Sequence, residues 1–235
     1  MRKLTLAMTG MVSTVLLSAQ AFANEAAGNG LPVPNQSWEH LWDEIILDIT
    51  IIGVIMAVAA VIMLVKYTAS SPDEVGTAKE LDSVQSIAYA LIPAAIFMAD
   101  DFYLAANGWT VWNEYRRVPE NAMEIKVTGY QWYFEYEYPD GTTTDTLVLP
   151  HNQPTVFRMT SDDVIHSFGM PGFRVKEDIM PGRITYIWVN PVEIRETLVQ
   201  CAEFCGDEHS LMYNTLSVVP QAQFDLWLAK MAAEG

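Results

Sequence analysis

Residues 124–138 read EIKVTGYQWYFEYEY, and this stretch decides the fold class of the C-terminal half of the chain. Polar residues alternate with apolar ones along most of it, and it is rich in aromatic and β-branched side chains, as is typical of a β-strand with one buried face. Pro139, Asp140 and Gly141 follow directly and predict a turn. The segment therefore predicts β-structure that other strands must complete.

Five more runs of β-forming residues follow, and clusters of Pro and Gly separate them. They are Thr146–Leu149, Thr155–Thr160, Arg183–Asn190, Glu196–Gln200 and Asn214–Val219. Between residues 221 and 233, Phe224, Trp227, Leu228 and Met231 recur at helical spacing. The pattern predicts a compact all-β sandwich or barrel with a closing C-terminal helix.

Both cysteines of the chain and one of its four histidines lie within residues 201–212, which read CAEFCGDEHSLM. A disulfide would close a very short loop and would leave His209 and Met212 unexplained. Zinc accepts Cys and His, but it gains nothing from a thioether. Thiolate, imidazole and thioether together suit an electron-transfer copper on a β-sandwich. Two thiols suit two coppers, because Cys201 and Cys205 can each bridge both metals while each copper binds one histidine.

This copper hypothesis requires a second histidine, and the candidates are His40, His151 and His166. His40 precedes the first strongly apolar segment, and His151 follows Pro150 in a predicted loop. His166 comes shortly after a predicted strand, where a sandwich of this kind offers a ligand. We therefore expect His166 to complete the set.

The N-terminal half carries two uncharged runs, Ile49–Val65 and Ser83–Ala99. Aromatic residues flank the first run, as expected at membrane interfaces, and Pro93 is expected to kink the second. We predict transmembrane helices at about 44–67 and 83–106, which form a hairpin within residues 44–109. Residues 110–235 then form one exported domain.

Residues 1–23 resemble a secretory signal peptide, with Arg2 and Lys3 followed by an apolar stretch and an A-x-A site at residues 21–23. Cleavage would start the mature chain at Asn24 and leave 24–43 as an exported N-terminal segment. The segment 24–48 has no Lys or Arg, whereas the loop 66–82 has Lys66 and Lys79. This bias predicts a cytoplasmic loop, with both termini on the oxidising, periplasmic side of a bacterial inner membrane.

The net charge is −16, and it becomes −18 if the signal peptide is removed, since two positive charges leave with it. So acidic a chain argues against nucleic acid as a partner. A basic protein partner or a solvated, repelling surface is favoured instead.

The segment 201–212 resembles the binuclear copper A motif C-x-E-x-C-G-x-x-H-x-x-M. Residues 163–167 and 175–183 resemble the upstream signature of the same family, and 129–134 resemble its aromatic stretch. With two membrane helices, nearly the whole mature chain is similar to subunit II of cytochrome c oxidase. The resemblance implies a Greek-key, cupredoxin-like domain.

The resemblance also implies the site. Cys201 and Cys205 would bridge the coppers, His166 and His209 would be terminal ligands, and Met212 would be a weak axial ligand. Glu203 would give its backbone carbonyl to copper, and its side chain would help to hold magnesium at the boundary with subunit I. Trp132 would be the aromatic residue through which electrons enter. Four acids would draw in a basic donor: Asp162, Asp163, Asp207 and Glu208.

The family further implies cytochrome c as the donor, subunit I with its haems and subunit III as partners, oxygen reduction to water, and proton translocation by the whole complex. Ser86 stands where the family often carries a glutamate at the mouth of a proton path. No C-x-x-C-H motif for a fused c-type haem is present in the sequence. Two other functions remain open: the copper A subunit of a nitric oxide reductase, and a membrane-tethered copper carrier.

Overall fold

The computed structural model describes residues 31–76 and 80–234, so the predicted signal peptide and Lys79 lie outside the described residues. The chain divides into two compact units. One is Glu39–Trp109, and the other contains the flanking N-terminal residues together with the segment that starts at Thr110.

The unit Glu39–Trp109 contains most of two long helices, α1 (Pro34–Lys66) and α2 (Ser83–Arg116). Their apolar side chains face outward, and Ile55, for example, is 62% exposed. Among the described residues, these two helices are long and apolar enough to cross a membrane. Such a surface is stable in lipid and not in water, so the helices anchor the chain in a membrane.

Both helices run beyond the bounds predicted from the sequence. α1 begins at Pro34 and not near residue 44, and α2 continues through Pro93 to Arg116 and does not end near residue 106. The apolar runs locate the part that can cross a membrane, whereas helical hydrogen bonding continues into the polar flanks, and in α2 it continues through Gly108. Proline at the first turn of α1 costs nothing, because that turn needs no backbone N–H donor.

The other unit is a sandwich of two five-stranded sheets and a C-terminal helix, α3 (Gln221–Glu234). The strands are β1 (Met123–Tyr130), β2 (Tyr133–Glu137), β3 (Thr143–Thr144), β4 (Leu147–Pro150), β5 (Thr155–Ser161), β6 (His166–Met170), β7 (Val175–Ile179), β8 (Thr185–Val189), β9 (Arg195–Cys201) and β10 (Tyr213–Val219). The first sheet has the order β3-β2-β1-β5-β8, and the second has the order β4-β10-β9-β6-β7. The pairs β1–β5 and β4–β10 are parallel, and the remaining pairs are antiparallel.

Aromatic side chains fill the space between the sheets. Phe168 packs against Phe134 and Phe157 with ring centroids 5.2 and 5.3 Å apart. On the side of α3, Tyr138 contacts the ring of Trp227 at 5.2 Å, which covers that end of the core. Burial of rings of this size is the main source of stability in a small domain.

The predicted all-β sandwich with a closing C-terminal helix is confirmed. The stretch 124–138 is two strands and not one, because the chain turns at Gln131 and Trp132 so that Tyr130 pairs with Tyr133. The sequence patterns did not identify β3, β6 or β7. β7 is an edge strand that reads VKEDI, and its charges conceal the alternation expected of a strand.

Candidate metal centre

Neighbouring strands of the second sheet bring the first two predicted ligands together. His166 is the first residue of β6, and Cys201 is the last residue of β9. The two strands are antiparallel, with Phe168 paired to Cys201, so the start of β6 and the end of β9 lie at the same end of the sandwich. The other predicted ligands lie on the connection between β9 and β10, which we call the ligand loop (residues 202–212).

The backbone holds the ligand loop closed at its base. The amide of Cys201 donates to the carbonyl of Met212 at 2.9 Å, and the amide of Ala202 donates to the carbonyl of Ser167 at 2.9 Å. A single 3₁₀ turn, His209–Leu211, then directs the loop back toward β10. The loop therefore returns on itself and brings its two ends, with their sulfur atoms, to one place.

The two thiols face each other without a disulfide. Cys201 Sγ and Cys205 Sγ are 3.7 Å apart, and both cysteines are free and buried. Each sulfur also lies beside a different imidazole: His166 Nδ1 is 3.8 Å from Cys201 Sγ, and His209 Nδ1 is 3.6 Å from Cys205 Sγ. The two cysteine–histidine pairs thus lie side by side.

Two weaker donors complete the group. Met212 Sδ is 3.7 Å from Cys205 Sγ, and the thiol of Cys201 donates to the Glu203 carbonyl at 3.1 Å. The ligand atoms of His166, Cys201 and Cys205 all lie within 4.8 Å of one another, which makes these three residues a candidate metal site. Soft sulfur donors with imidazole fit copper, and the site is a candidate copper centre of the copper A type.

Burial controls the protonation of the Cys205 thiol. His166 is 0% exposed and Cys205 is 4% exposed. Burial raises the pKa of the Cys205 thiol to about 12, and the neighbouring Cys201 adds to this effect. The metal-free Cys205 thiol is therefore protonated at neutral pH, and a metal must displace its proton to bind it.

A carboxylate sets the orientation of the His166 ring. Asp163 Oδ1 lies 2.8 Å from His166 Nε2, and since a carboxylate only accepts, Nε2 carries the proton and Nδ1 presents its lone pair toward Cys201. Burial alone would raise the pKa of Asp163. Hydrogen bonds from His166, from the Val164 amide and from the Gln131 amide outweigh this effect and lower the pKa.

Glycine lets the first sheet approach that ring. A Cβ at Gly129 would lie only 3.0 Å from His166 Cδ2. The side chain of His166 is therefore held between the two sheets by close contact as well as by its hydrogen bond.

Trp132 lies in the turn between β1 and β2, beside the ligand loop. It is partly buried and packs against the core, and its Nε1 has no hydrogen-bond partner among residues 31–76 and 80–234. Gly206, with φ +133°, lies next to it: a Cβ there would be 3.1 Å from Trp132 Nε1 and 2.9 Å from Gln131 Nε2. The indole of Trp132 thus lies close to the residue after Cys205.

The four predicted docking acids differ in what their carboxylates contact. All four residues are exposed, but the carboxylate of Asp163 is hydrogen-bonded to His166, and its side chain is 29% exposed. Glu203 is also exposed, and it lines an open pocket of about 540 Å³ together with Asp178, Val164, Ile165 and Phe204. Of the four predicted docking acids, Asp163 therefore contacts the predicted ligand His166, and the other three face solvent.

Sequence reasoning missed three contributors to this site. Gln131 donates from Nε2 to the Cys205 carbonyl at 2.6 Å, and Gly129 and Gly206 allow the close approaches described above. It also assigned Asp163 only to docking. The position of Asp163 three residues before a predicted ligand was the one available signal for its contact with His166.

Comparisons with known proteins find one family among the relatives of this chain. Residues 141–219 match the family described as cytochrome c oxidase subunit II, periplasmic domain. A relative from Rickettsia bellii (strain RML369-C), named probable cytochrome c oxidase subunit 2, is 28% identical over 257 aligned residues, 96% of this chain and 94% of the relative. Cytochrome c oxidase subunit 2 of Cereibacter sphaeroides is 30% identical over 187 residues, 63% of this chain and 60% of that protein.

Among solved structures, the periplasmic domain of subunit II of cytochrome oxidase from Bradyrhizobium japonicum is similar to part of this chain. It is 31% identical, with a TM-score of 0.47, and the match covers 50% of this chain and 99% of that one.

Proposed function

We propose that this chain is a member of the cytochrome c oxidase subunit II family and that, in a haem–copper oxidase, it is the subunit through which electrons enter. In this proposal it accepts electrons one at a time from cytochrome c at a binuclear copper A centre and passes them to haem in subunit I, where oxygen is reduced to water. One observation carries the proposal: two free thiols lie 3.7 Å apart, each beside a different imidazole nitrogen.

The donor set fits two copper ions better than one. Six predicted residues would hold the metals: Cys201 and Cys205 by their thiolates, His166 and His209 by their imidazoles, Met212 by its thioether and Glu203 by its carbonyl. A single copper would leave one of the two buried thiols without a purpose. Copper bound there supplies reversible one-electron exchange.

The protein contributes a rigid and dry site. Asp163 holds the His166 ring in one orientation, and backbone bonds from Cys201 and Ala202 tie the ligand loop to β9 and β6. Because the ligand atoms are held by the fold, they need to move little when the charge of the site changes.

Charge and aromatic contact give this end of the sandwich the properties of a docking face. Asp162, Asp207 and Glu208 are exposed near the ligand loop, and the whole chain carries −16. A basic protein such as cytochrome c is attracted to such a surface. Trp132, in contact distance of the ligand loop, is the proposed point of electron entry.

The exposed pocket beside the loop supports a magnesium site. The Glu203 and Asp178 side chains both line it, and carboxylate oxygens suit a hard divalent cation. We propose that Glu203 helps to hold magnesium at the boundary with subunit I, and that subunit III is a further partner.

We also propose the placement of the chain in its membrane. After signal cleavage the mature chain would begin at Asn24, with residues 24–43 and 110–235 on the periplasmic side and the loop near Lys66 in the cytoplasm. The scarcity of Lys and Arg before α1 supports this orientation. Protease accessibility in inside-out and right-side-out vesicles measures it directly.

The test of the proposed function is rapid mixing of reduced cytochrome c with the copper-loaded full chain in detergent. We expect fast bleaching of the copper A absorption, with a rate that falls at least about tenfold as salt rises from about 10 mM to 0.2 M. A copper chelator added to the resting protein should remove copper slowly. No electron transfer, together with rapid copper loss, would instead indicate a copper carrier.

A further inference from the structure

Gln131 makes two hydrogen bonds that tie together parts of the chain that are remote in sequence. Its backbone amide donates to Asp163 Oδ2 at 2.6 Å, and its side-chain amide donates to the Cys205 carbonyl at 2.6 Å. The partners lie 32 and 74 residues away. The turn between β1 and β2 is thereby joined both to the carboxylate that orients His166 and to the ligand loop.

The bond from the Gln131 side chain to the Cys205 carbonyl lies where the two segments approach closely. Gly206 follows Cys205, and its Cα faces Gln131 Nε2 and Trp132 Nε1 so closely that an added Cβ would lie 2.9 and 3.1 Å from them. The Trp132 indole nitrogen has no hydrogen-bond partner of its own within the part of the chain that the structure describes. Nothing polar on Trp132 itself therefore fixes its distance from the ligand loop, whereas its neighbour Gln131 is bonded to that loop.

We propose that Gln131 is a positioning residue, which holds the Cys205–Gly206 segment against Trp132 through its side-chain hydrogen bond and so controls both copper retention and electron entry. The proposal rests on the proposed function for its electron-transfer part only. Its structural part, that the bond keeps the ligand loop closed over the thiols, holds for the metal-free chain as well.

The variants isolate this one bond. Gln131→Met keeps the length of the side chain and removes the donor, while the backbone bond to Asp163 is retained. Gln131→Glu keeps the shape and places a carboxylate against the Cys205 carbonyl, so we expect a larger effect than for Met. Gln153→Met is the matched control, because Gln153 Nε2 also donates to a backbone carbonyl, that of Asn121 at 2.7 Å, at the opposite end of β1.

The first arm of the experiment uses the metal-free full chain in detergent and measures the reaction rate of its two thiols with a thiol reagent. Buried thiols react when the loop opens, so we expect Gln131→Met to react about fivefold to tenfold faster, and Gln131→Glu faster still. Gln153→Met should match the unmodified chain. Equal rates for Gln131→Met and the unmodified chain, with circular dichroism showing all variants folded, would overturn the proposal.

The second arm uses the copper-loaded chain and measures copper loss to a chelator and reduction by reduced cytochrome c. Loss of a bond just outside the ligand shell should speed copper loss about tenfold and slow reduction by a similar factor. The two-copper paramagnetic spectrum should persist in Gln131→Met. Unchanged copper loss and unchanged reduction in that variant would contradict the proposal. If the unmodified chain gives no two-copper spectrum, the proposed function fails, and the thiol arm alone decides the role of Gln131.

Discussion

The ligand end of the sandwich and its aromatic interior belong to the same sheets but differ in what their buried side chains contact. In the interior, rings such as Phe157 and Phe168 pack against one another and are 0% exposed. At the ligand end, two buried thiols face each other and one imidazole each at 3.6 to 3.8 Å, which is longer than a strong hydrogen bond. The packing of the interior therefore stabilises the fold, whereas the donor atoms at the ligand end are arranged to bind a metal.

This difference predicts that a substitution in the interior changes the stability of the fold without changing the metal site. The largest expected effect on stability is that of Phe157→Ala, which removes a fully buried ring from the interior. We expect the free energy of unfolding of the metal-free chain to fall by about 3–5 kcal/mol. Urea unfolding followed by circular dichroism measures this. The folded fraction should keep the copper spectrum of the unmodified protein, and loss of that spectrum would mean that the two regions are coupled.

Two tyrosines, Tyr136 in β2 and Tyr138 just after it, sharpen the comparison. The Tyr138 hydroxyl donates to the Val148 carbonyl and accepts from the Val148 amide, both at 2.9 Å, so Tyr138→Phe should cost about 1–3 kcal/mol. The Tyr136 hydroxyl is buried without a partner among the described residues. Tyr136→Phe should therefore change the unfolding free energy by less than about 0.5 kcal/mol. A large loss for Tyr136→Phe in the same urea assay would show that its hydroxyl has a partner.

Alkaline pH acts on the same two residues. Burial raises the pKa of both Tyr136 and Tyr138 above the ordinary value of 10. Above pH 10 the folded protein keeps these protons while the unfolded chain loses them. The contribution of the two tyrosines to the free energy of unfolding is therefore fully present below pH 10 and declines above it. Each tyrosine should lower the unfolding free energy by about 1.4 kcal/mol per pH unit above that point. Urea titrations at pH 9 and 11 check this, and Tyr136→Phe should weaken the decline.

The smallest expected effect on stability comes from the ligand end. Met212→Leu replaces a thioether by an apolar side chain of similar volume, so the metal-free chain should lose less than about 1.5 kcal/mol. The same change removes a proposed copper ligand and should shift the reduction potential and the absorption of the copper-loaded protein. An unchanged potential, measured by redox titration, would remove Met212 from the ligand set.

The two regions also differ in how far the sequence predicted them. Cys201, Cys205, His209 and Met212 lie in one short segment, so their side-chain chemistry could be interpreted without a fold. His166 could be predicted as a further ligand because it follows a predicted strand. The alternating pattern of the strands predicted a sandwich, because burial of one face leaves a period of two in the sequence.

The contacts around the ligands could not be predicted in the same way. The bond from Gln131 to Cys205 links residues 74 positions apart, and it depends on where two turns meet in the folded domain. Sheet order and the parallel pairs β1–β5 and β4–β10 also leave no local period. β6, with every residue buried and a glycine within it, shows no alternation at all.

The central claim is that one site holds two coppers, and electron paramagnetic resonance tests it most directly. The sample is the copper-loaded full chain in detergent, partly oxidised, with Cys205→Ser as the control. The account predicts hyperfine splitting from one electron shared between two copper nuclei, and its loss in Cys205→Ser. A spectrum of a single localised Cu(II) in the unmodified chain would contradict the account.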